Sequence, residues 1–181
     1  MALWGITDGS EAKPKYLSQE DKNNTIAKAE GWVLKKTVGS RNLEEVLVAV
    51  GSNTDLTSTL AEATIDAVYF TASSYAQGDS ASVTVVYNEL VNVTNGATLA
   101  VTGSVTGSIT ATAAAQTGVN QAVFSFTVPS QTESLSIGAQ TISGTIVDST
   151  GGATSDKTIA AGDVIDAGGA GTGGTATIAV A

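Results

Sequence analysis

The chain has 181 residues, enough for one large domain or two small ones, and it contains neither cysteine nor histidine. Disulfides, thiolate or histidine metal sites and a Ser-His-Asp triad are therefore excluded. Through Arg41 there are seven basic and five acidic residues; twelve acids and one base, Lys157, follow, so the net charge of −9 divides into +2 and −11. A body this acidic repels nucleic acid, because phosphate binding depends on Lys and Arg.

The N-terminal stretch is predicted to be an irregular arm, because no helical or strand period runs through its aromatic and apolar residues. One interpretation is that the arm packs on its own domain. The other is that it docks into another subunit, where Trp and Tyr are typical anchors and neighbouring basic residues match an acidic surface. The predicted interface residues of the arm are Trp4, Lys13, Pro14, Lys15, Tyr16 and Leu17. We expect no secretory signal here and, with no apolar run of about 18 residues, no membrane span.

The segment "EGWVLKKTVGSRNLEEVLVAVGS" at 30–52 predicts a β-hairpin around Gly39-Ser40-Arg41-Asn42. Its second strand would place Val46, Val48 and Val50 on one face. A helix through Leu43, Val46, Leu47 and Val50 is the alternative, but three valines in five residues favour a strand. An isolated hairpin is only marginally stable in water, so it must pack against the body or against another molecule. Trp32, Lys35 and Lys36 complete the predicted partner interface, although a lysine pair on a strand can equally be just solvated.

Beyond residue 62 the sequence predicts an antiparallel β-sandwich. Short runs rich in Val, Thr and aromatic residues alternate with polar ones and are separated by glycine turns, which is typical of seven to nine short strands. In "SASVTVVYNE" the core face holds Val83, Val85 and Tyr87, and in "NQAVFSFTVP" it holds Ala122, Phe124, Phe126 and Val128. No helix is expected here, and the Ala run at 111–115 is interpreted as strand or loop. The predicted domains are 1–62 and 63–181, the second with a Gly-rich C-terminal segment and a last short strand.

The acidic residues are the only plausible catalytic or metal-binding groups. A glycosidase needs two carboxylates in an aromatic-lined cleft, and the body has few aromatics, so we expect no enzyme activity. Calcium needs several oxygens at loop positions, which Asp79 with Glu89, or Asp148 with Asp156, could supply. The simpler interpretation is that these acids keep the sandwich soluble and its edges unpaired. No cofactor is expected, with Ca²⁺ as the minority alternative.

The first 51 residues resemble the N-terminal module of small virion structural proteins of tailed marine phages, particularly contractile-tailed cyanophages. The resemblance is carried by Trp-Gly-x-x-Asp at 4–8, Lys-Pro-Lys-Tyr-Leu at 13–17, Gly-Trp-Val at 31–33 and Glu-x-Leu-Val-Ala at 45–49. The family supplies no catalytic residues. Residues 66–148 are similar to bacterial and phage immunoglobulin-like domains, through the Gly-Asp turn, "YNELVNV" and "GATLAV". That domain type is specific for fold and not for function.

Together the resemblances imply a non-enzymatic structural protein of a phage virion, most plainly a capsid decoration or cement protein. Its N-terminal region would grip the major capsid protein or another virion protein, and its immunoglobulin-like body would project from the particle surface. Further copies of itself on a symmetric particle are expected partners; nucleic acid and membranes are not. The implied location is the virion, after synthesis in the host cytoplasm. The alternatives are a tail, neck or baseplate component and an adhesin-like module that binds the host surface.

Overall fold

The structure is a computed structural model that describes residues 13–28, 31–39, 41–49, 62–165 and 177–181. These residues are all-β in a sandwich-like arrangement, as the sequence predicts. One short helix, α1, spans Gln19–Asn23, and one 3-10 turn spans Ala161–Asp163. The strands are β1 Thr25–Lys28, β2 Gly31–Val38, β3 Arg41–Ala49, β4 Ile65–Phe70, β5 Ser74–Tyr75, β6 Ser80–Val93, β7 Thr98–Gly103, β8 Gly107–Thr112, β9 Gln116–Thr127, β10 Glu133–Ser136, β11 Gln140–Thr141, β12 Ile146–Asp148, β13 Thr158–Ile159 and β14 Thr177–Val180.

The strands form three sheets. The N-terminal sheet has the order β1-β2-β3. The body is built on a nine-stranded sheet with the order β12-β6-β9-β8-β7-β10-β14-β5, in which β4 also pairs with β6. A small ladder joins β11 to β13. The pairs are antiparallel except that β14 runs parallel to β5.

The main core is formed by the alternating apolar residues that the sequence identifies. Ala122, Phe124, Phe126 and Val128 are buried in it, and Phe126 packs edge-to-face on Phe70 at 6.4 Å between ring centroids. The intervening residues of β9 are exposed from Val123 to Thr127. This period of two is what a strand buried on one face requires, and the prediction for β9 is confirmed.

Strand β6 is buried on both faces over much of its length. Val83, Val85 and Tyr87 lie in the main core, as predicted. Val86 points out of that alternation and belongs to a second cluster with Ala67, Tyr69 and Ile165. Thr84, expected on the outward side, is also buried. The reason is that the N-terminal sheet packs its strand β1 against β6.

The predicted hairpin of the N-terminal region is confirmed and is part of a larger unit. Strands β2 and β3 pair antiparallel from Val38↔Arg41 to Gly31↔Ala49, with a bulge after Trp32, so the helical alternative is wrong. The structure adds β1 and α1, which were not predicted. Helix α1 is only five residues long and starts from an N-cap, Ser18, whose hydroxyl accepts the Asp21 N–H at 3.1 Å.

The body has eleven strands, β4 to β14, rather than the seven to nine predicted; three of them, β5, β11 and β13, are only two residues long. Ile142 and Ile146 are both buried in the core, on different segments because Gly144, with φ of +97°, turns the chain between them. The first two residues of the Ala run 111–115 end β8, and residues 113–115 form a loop. The last predicted strand forms β14, whereas the Gly-rich run 166–176 lies outside the described residues.

Candidate interaction surface

The N-terminal sheet and α1 are fixed to the body by hydrogen bonds from β9. Asn120 Nδ2 donates to the Asn23 carbonyl oxygen at 2.8 Å, and Gln121 Nε2 donates to Asn24 Oδ1 at 2.9 Å. The Asn24 carbonyl oxygen in turn accepts the backbone N–H of Lys35 at 2.9 Å. The end of α1 therefore joins the N-terminal sheet to the body, although 97 residues separate Asn23 from Asn120.

Lys13 makes a second connection between the two parts of the chain. Its Nζ lies 2.5 Å from Asp66 Oδ2, donates to the Lys22 carbonyl oxygen at 2.7 Å and sits 5.8 Å from the centre of the Trp32 ring. Burial lowers the pKa of Lys13, and the neighbouring Asp66 carboxylate opposes that change. The ammonium thus replaces its hydration shell with contacts inside its own chain.

These contacts correct two of the predicted interface residues. Trp32 is only 2% exposed and is buried with Val33 and Leu34 of the same strand, so its ring is not available to a partner. Lys13 is held in the contacts described above. The sequence suggested outward anchors because aromatic and basic residues stood together, whereas the structure brings them together to hold the N-terminal segment against the body.

The other predicted interface residues of the arm differ in their exposure. Tyr16 is 75% exposed, and Lys15 beside it is exposed. Pro14 and Leu17 are half-buried and close a turn through a hydrogen bond from the Leu17 N–H to the Pro14 carbonyl oxygen at 3.3 Å. Trp4 lies outside the described residues, so its assignment stays a prediction.

Lys35 and Lys36 line a cleft of about 790 Å³ between α1 and the far half of the β2–β3 hairpin. The cleft is mainly polar, and its wall also contains Asp21 and Glu44 from the two elements, with Leu43 at one side. Lys36 Nζ lies 3.5 Å from Glu45 Oε2 across the hairpin. The structure therefore brings Lys35 and Lys36 to a concave surface, and it places Lys13 and Trp32 elsewhere.

The most prominent feature of this surface was predicted as a strand but not as a site. Of seven large apolar side chains that are exposed in the described residues, four belong to the β2–β3 hairpin: Val38, Leu43, Val46 and Val48. Every residue of β3 is exposed except Leu47, which is half-buried. The signal was present in the sequence as valines on a strand, but a strand pattern does not reveal which strand remains at an edge.

Of the acids considered as calcium ligands, Asp79 and Glu89 do not lie together. Asp79 accepts the Ala76 N–H at 3.0 Å before β6 begins, whereas Glu89 lies ten residues further along that strand, about 30 Å away. Glu89 instead neighbours Asp148, and both are buried. Burial, with the nearby Asp148 charge, raises the pKa of Glu89 to about 7. Across the residues that the structure covers, no group of three or more acids could share a metal ion.

Comparison with known proteins gives no assignment. No protein-family model matches the chain, and no curated protein or solved structure matches it significantly. In the described part of the chain, no helix has the length and apolar character needed to cross a membrane. The functional assignment therefore depends on the surfaces of the chain and on the resemblances in its sequence.

Proposed function

We propose that this chain is a non-enzymatic structural protein of a tailed-phage virion, which decorates the capsid surface through its N-terminal region and projects an immunoglobulin-like body. The observation that carries the proposal is the exposed apolar strand β3, in the segment whose sequence resembles phage virion proteins. Exposed large apolar side chains concentrated on one hairpin favour a binding surface.

The distribution of charge supports attachment by the N-terminal region. Residues 13–49 contain seven basic and five acidic residues, a net charge of +2, whereas residues 62–181 contain nine acids and one base, a net charge of −8. A positive attachment region favours an acidic partner surface, and the negative body keeps neighbouring copies soluble between contacts. Many copies on a symmetric shell would add avidity to a modest affinity at each site.

The test is quantitative mass spectrometry of purified particles of the phage that encodes this chain. We expect a ratio to the major capsid protein near one, or a simple fraction of it. Six or twelve copies per particle would indicate the neck or baseplate instead. Absence of the chain from particles would refute the virion proposal.

A further inference from the structure

The edge strands of the body are covered or short, whereas an edge strand of the N-terminal sheet is long and uncovered by the described residues. In the body, β12 is covered by residues 153–155: the Asp148 N–H donates to the Ala153 carbonyl oxygen at 2.8 Å, and the Ser155 N–H donates to the Ile146 carbonyl oxygen at 3.0 Å. Strand β4 is covered in the same way by the segment at Ile165. At the far end, β5 is only two residues long. Short or covered edges are the usual protection against unwanted pairing.

Strand β3 lacks this protection. It is nine residues long, and none of the described strands pairs with its outer edge. It contains no proline, and each of its two acids already has a partner in its own sheet: Glu44 pairs with Lys28, and Glu45 pairs with Lys36. Both acids are thus paired within the sheet, Arg41 lies at the start of the strand, and Leu43, Val46 and Val48 stay exposed along it.

The charges of the chain identify the kind of strand that fits. Strands β1 to β3 carry four basic residues and two acidic ones, so an acidic partner is favoured. A second copy fits poorly, because the described edges of its body are covered or very short, and pairing β3 with β3 would bring two positive regions together. The occupant favoured by these observations is a strand from a different protein.

We propose that an extended segment of another protein, carrying both acidic and apolar side chains, adds to the outer edge of β3 as the fourth strand of the N-terminal sheet. Backbone hydrogen bonds along about 30 Å of edge supply affinity. Contacts with Leu43 on one face of the sheet and with Val46 on the other supply specificity. This inference rests on the proposed function in one respect, namely that the partner belongs to the particle surface.

The test measures binding of the full chain to purified particles from a phage in which its gene is deleted. Val46→Lys is compared with Val105→Lys, since both valines are exposed (52% and 67%) and both changes add the same charge. We expect the unchanged chain and Val105→Lys to bind alike, and Val46→Lys to bind at least about tenfold more weakly. An added positive charge alone would strengthen binding to an acidic partner, so weaker binding reports loss of the apolar edge. Circular dichroism and urea midpoints check that both variants fold.

Hydrogen exchange on the same samples tests the edge directly. Backbone amides of β3 are expected to exchange quickly in the free chain and slowly on particles, and the affinity is expected to fall as salt is raised. If the unchanged chain does not bind particles at all, the proposed function fails together with this inference. If it binds and Val46→Lys binds equally well, only the edge inference is overturned.

Two further outcomes would overturn it by identifying another occupant. Slow exchange throughout β3 in the free chain would mean that its own chain covers the edge. A dimer in light scattering that Val46→Lys dissociates, and Val105→Lys does not, would mean that a second copy covers it.

Discussion

Replacing Glu89 by glutamine should remove a pH dependence from the stability of the body. The Glu89 side chain is 2% exposed, its Oε1 atom makes no hydrogen bond, and Asp148 is a buried acidic neighbour. Ionising a carboxyl in such surroundings is unfavourable, because water is excluded and a like charge is near. These two causes, burial first, raise the pKa of Glu89 to about 7.

The magnitude follows from the difference between the folded and unfolded chains. With a pKa of about 7 in the native chain and 4.5 in the unfolded chain, the native state holds the proton more tightly. Between these two pH values the native state binds more protons, so the free energy of unfolding falls as pH rises, by about 3 kcal/mol in total. Below pH 4.5 this contribution is fully present, and above pH 7 it is lost.

The assay is urea unfolding followed by far-ultraviolet circular dichroism at several pH values from 4 to 8.5. Glu89→Gln should reduce the decline in the free energy of unfolding across the window by about 3 kcal/mol, because the amide does not titrate. Glu20→Gln, at an exposed position on α1, is the control and should leave the decline unchanged. Equal declines in Glu89→Gln and the unchanged chain would refute the reasoning, since Glu89 would then ionise alike in both states.

Three further outcomes are expected. Glu133→Gln should lower the urea midpoint, because the Glu133 carboxylate accepts bonds from the Thr106 hydroxyl and two backbone N–H groups. The Thr106 hydroxyl bond, foremost, holds the pKa of Glu133 below its usual range; its stabilisation should therefore weaken as pH falls through that lowered value, which a pH series would show. Gly31→Ala should lower the free energy of unfolding by at least about 2 kcal/mol, because φ is +132° and a Cβ would lie 1.8 Å from the Val48 carbonyl oxygen of β3. Gly39→Ala, where a Cβ would meet open space, should lower it by about 1 kcal/mol. Asp66→Asn should lower the free energy of unfolding by about 2 kcal/mol, because it leaves the Lys13 charge buried without its partner, and adding Lys13→Met should restore part of that stability. Additive changes in the free energy of unfolding in this double-mutant cycle would show that the pair is not coupled.

Much of the fold follows from the periodicity of the sequence. Strand β9 could be predicted in detail because Ala122, Phe124, Phe126 and Val128 recur at every second position; the one apolar residue between them, Val123, is exposed. In strand β6, Val86 breaks the alternation as Val123 does in β9, yet Val86 is buried and Val123 is exposed. The break in pattern therefore does not tell a strand covered on both faces from one covered on a single face. Ile165, after the 3-10 turn, and strand β1 of the N-terminal sheet cover the second face.

The candidate site was less accessible from sequence. Composition alone does not show whether a Trp and a Lys contact each other within the chain or bind a partner protein. The contact of Lys13 with Asp66 joins residues 53 positions apart, so no local pattern predicts it. The β2–β3 hairpin was predictable, but the exposure of Leu43 and Val46 depends on which strand ends a sheet. Sheet order is a tertiary property, and no local pattern encodes it.

The position of β14 has a consequence for the order in which the body forms during synthesis. Residues 177–180 lie between β10 and β5, and their Ile178 and Val180 side chains fill the core there. Since translation proceeds from the N-terminus, β5 and β10 leave the ribosome long before the strand that joins them. The nascent body therefore lacks the strand between β10 and β5 until β14 emerges, and this side of the sandwich closes only after that segment has left the exit tunnel.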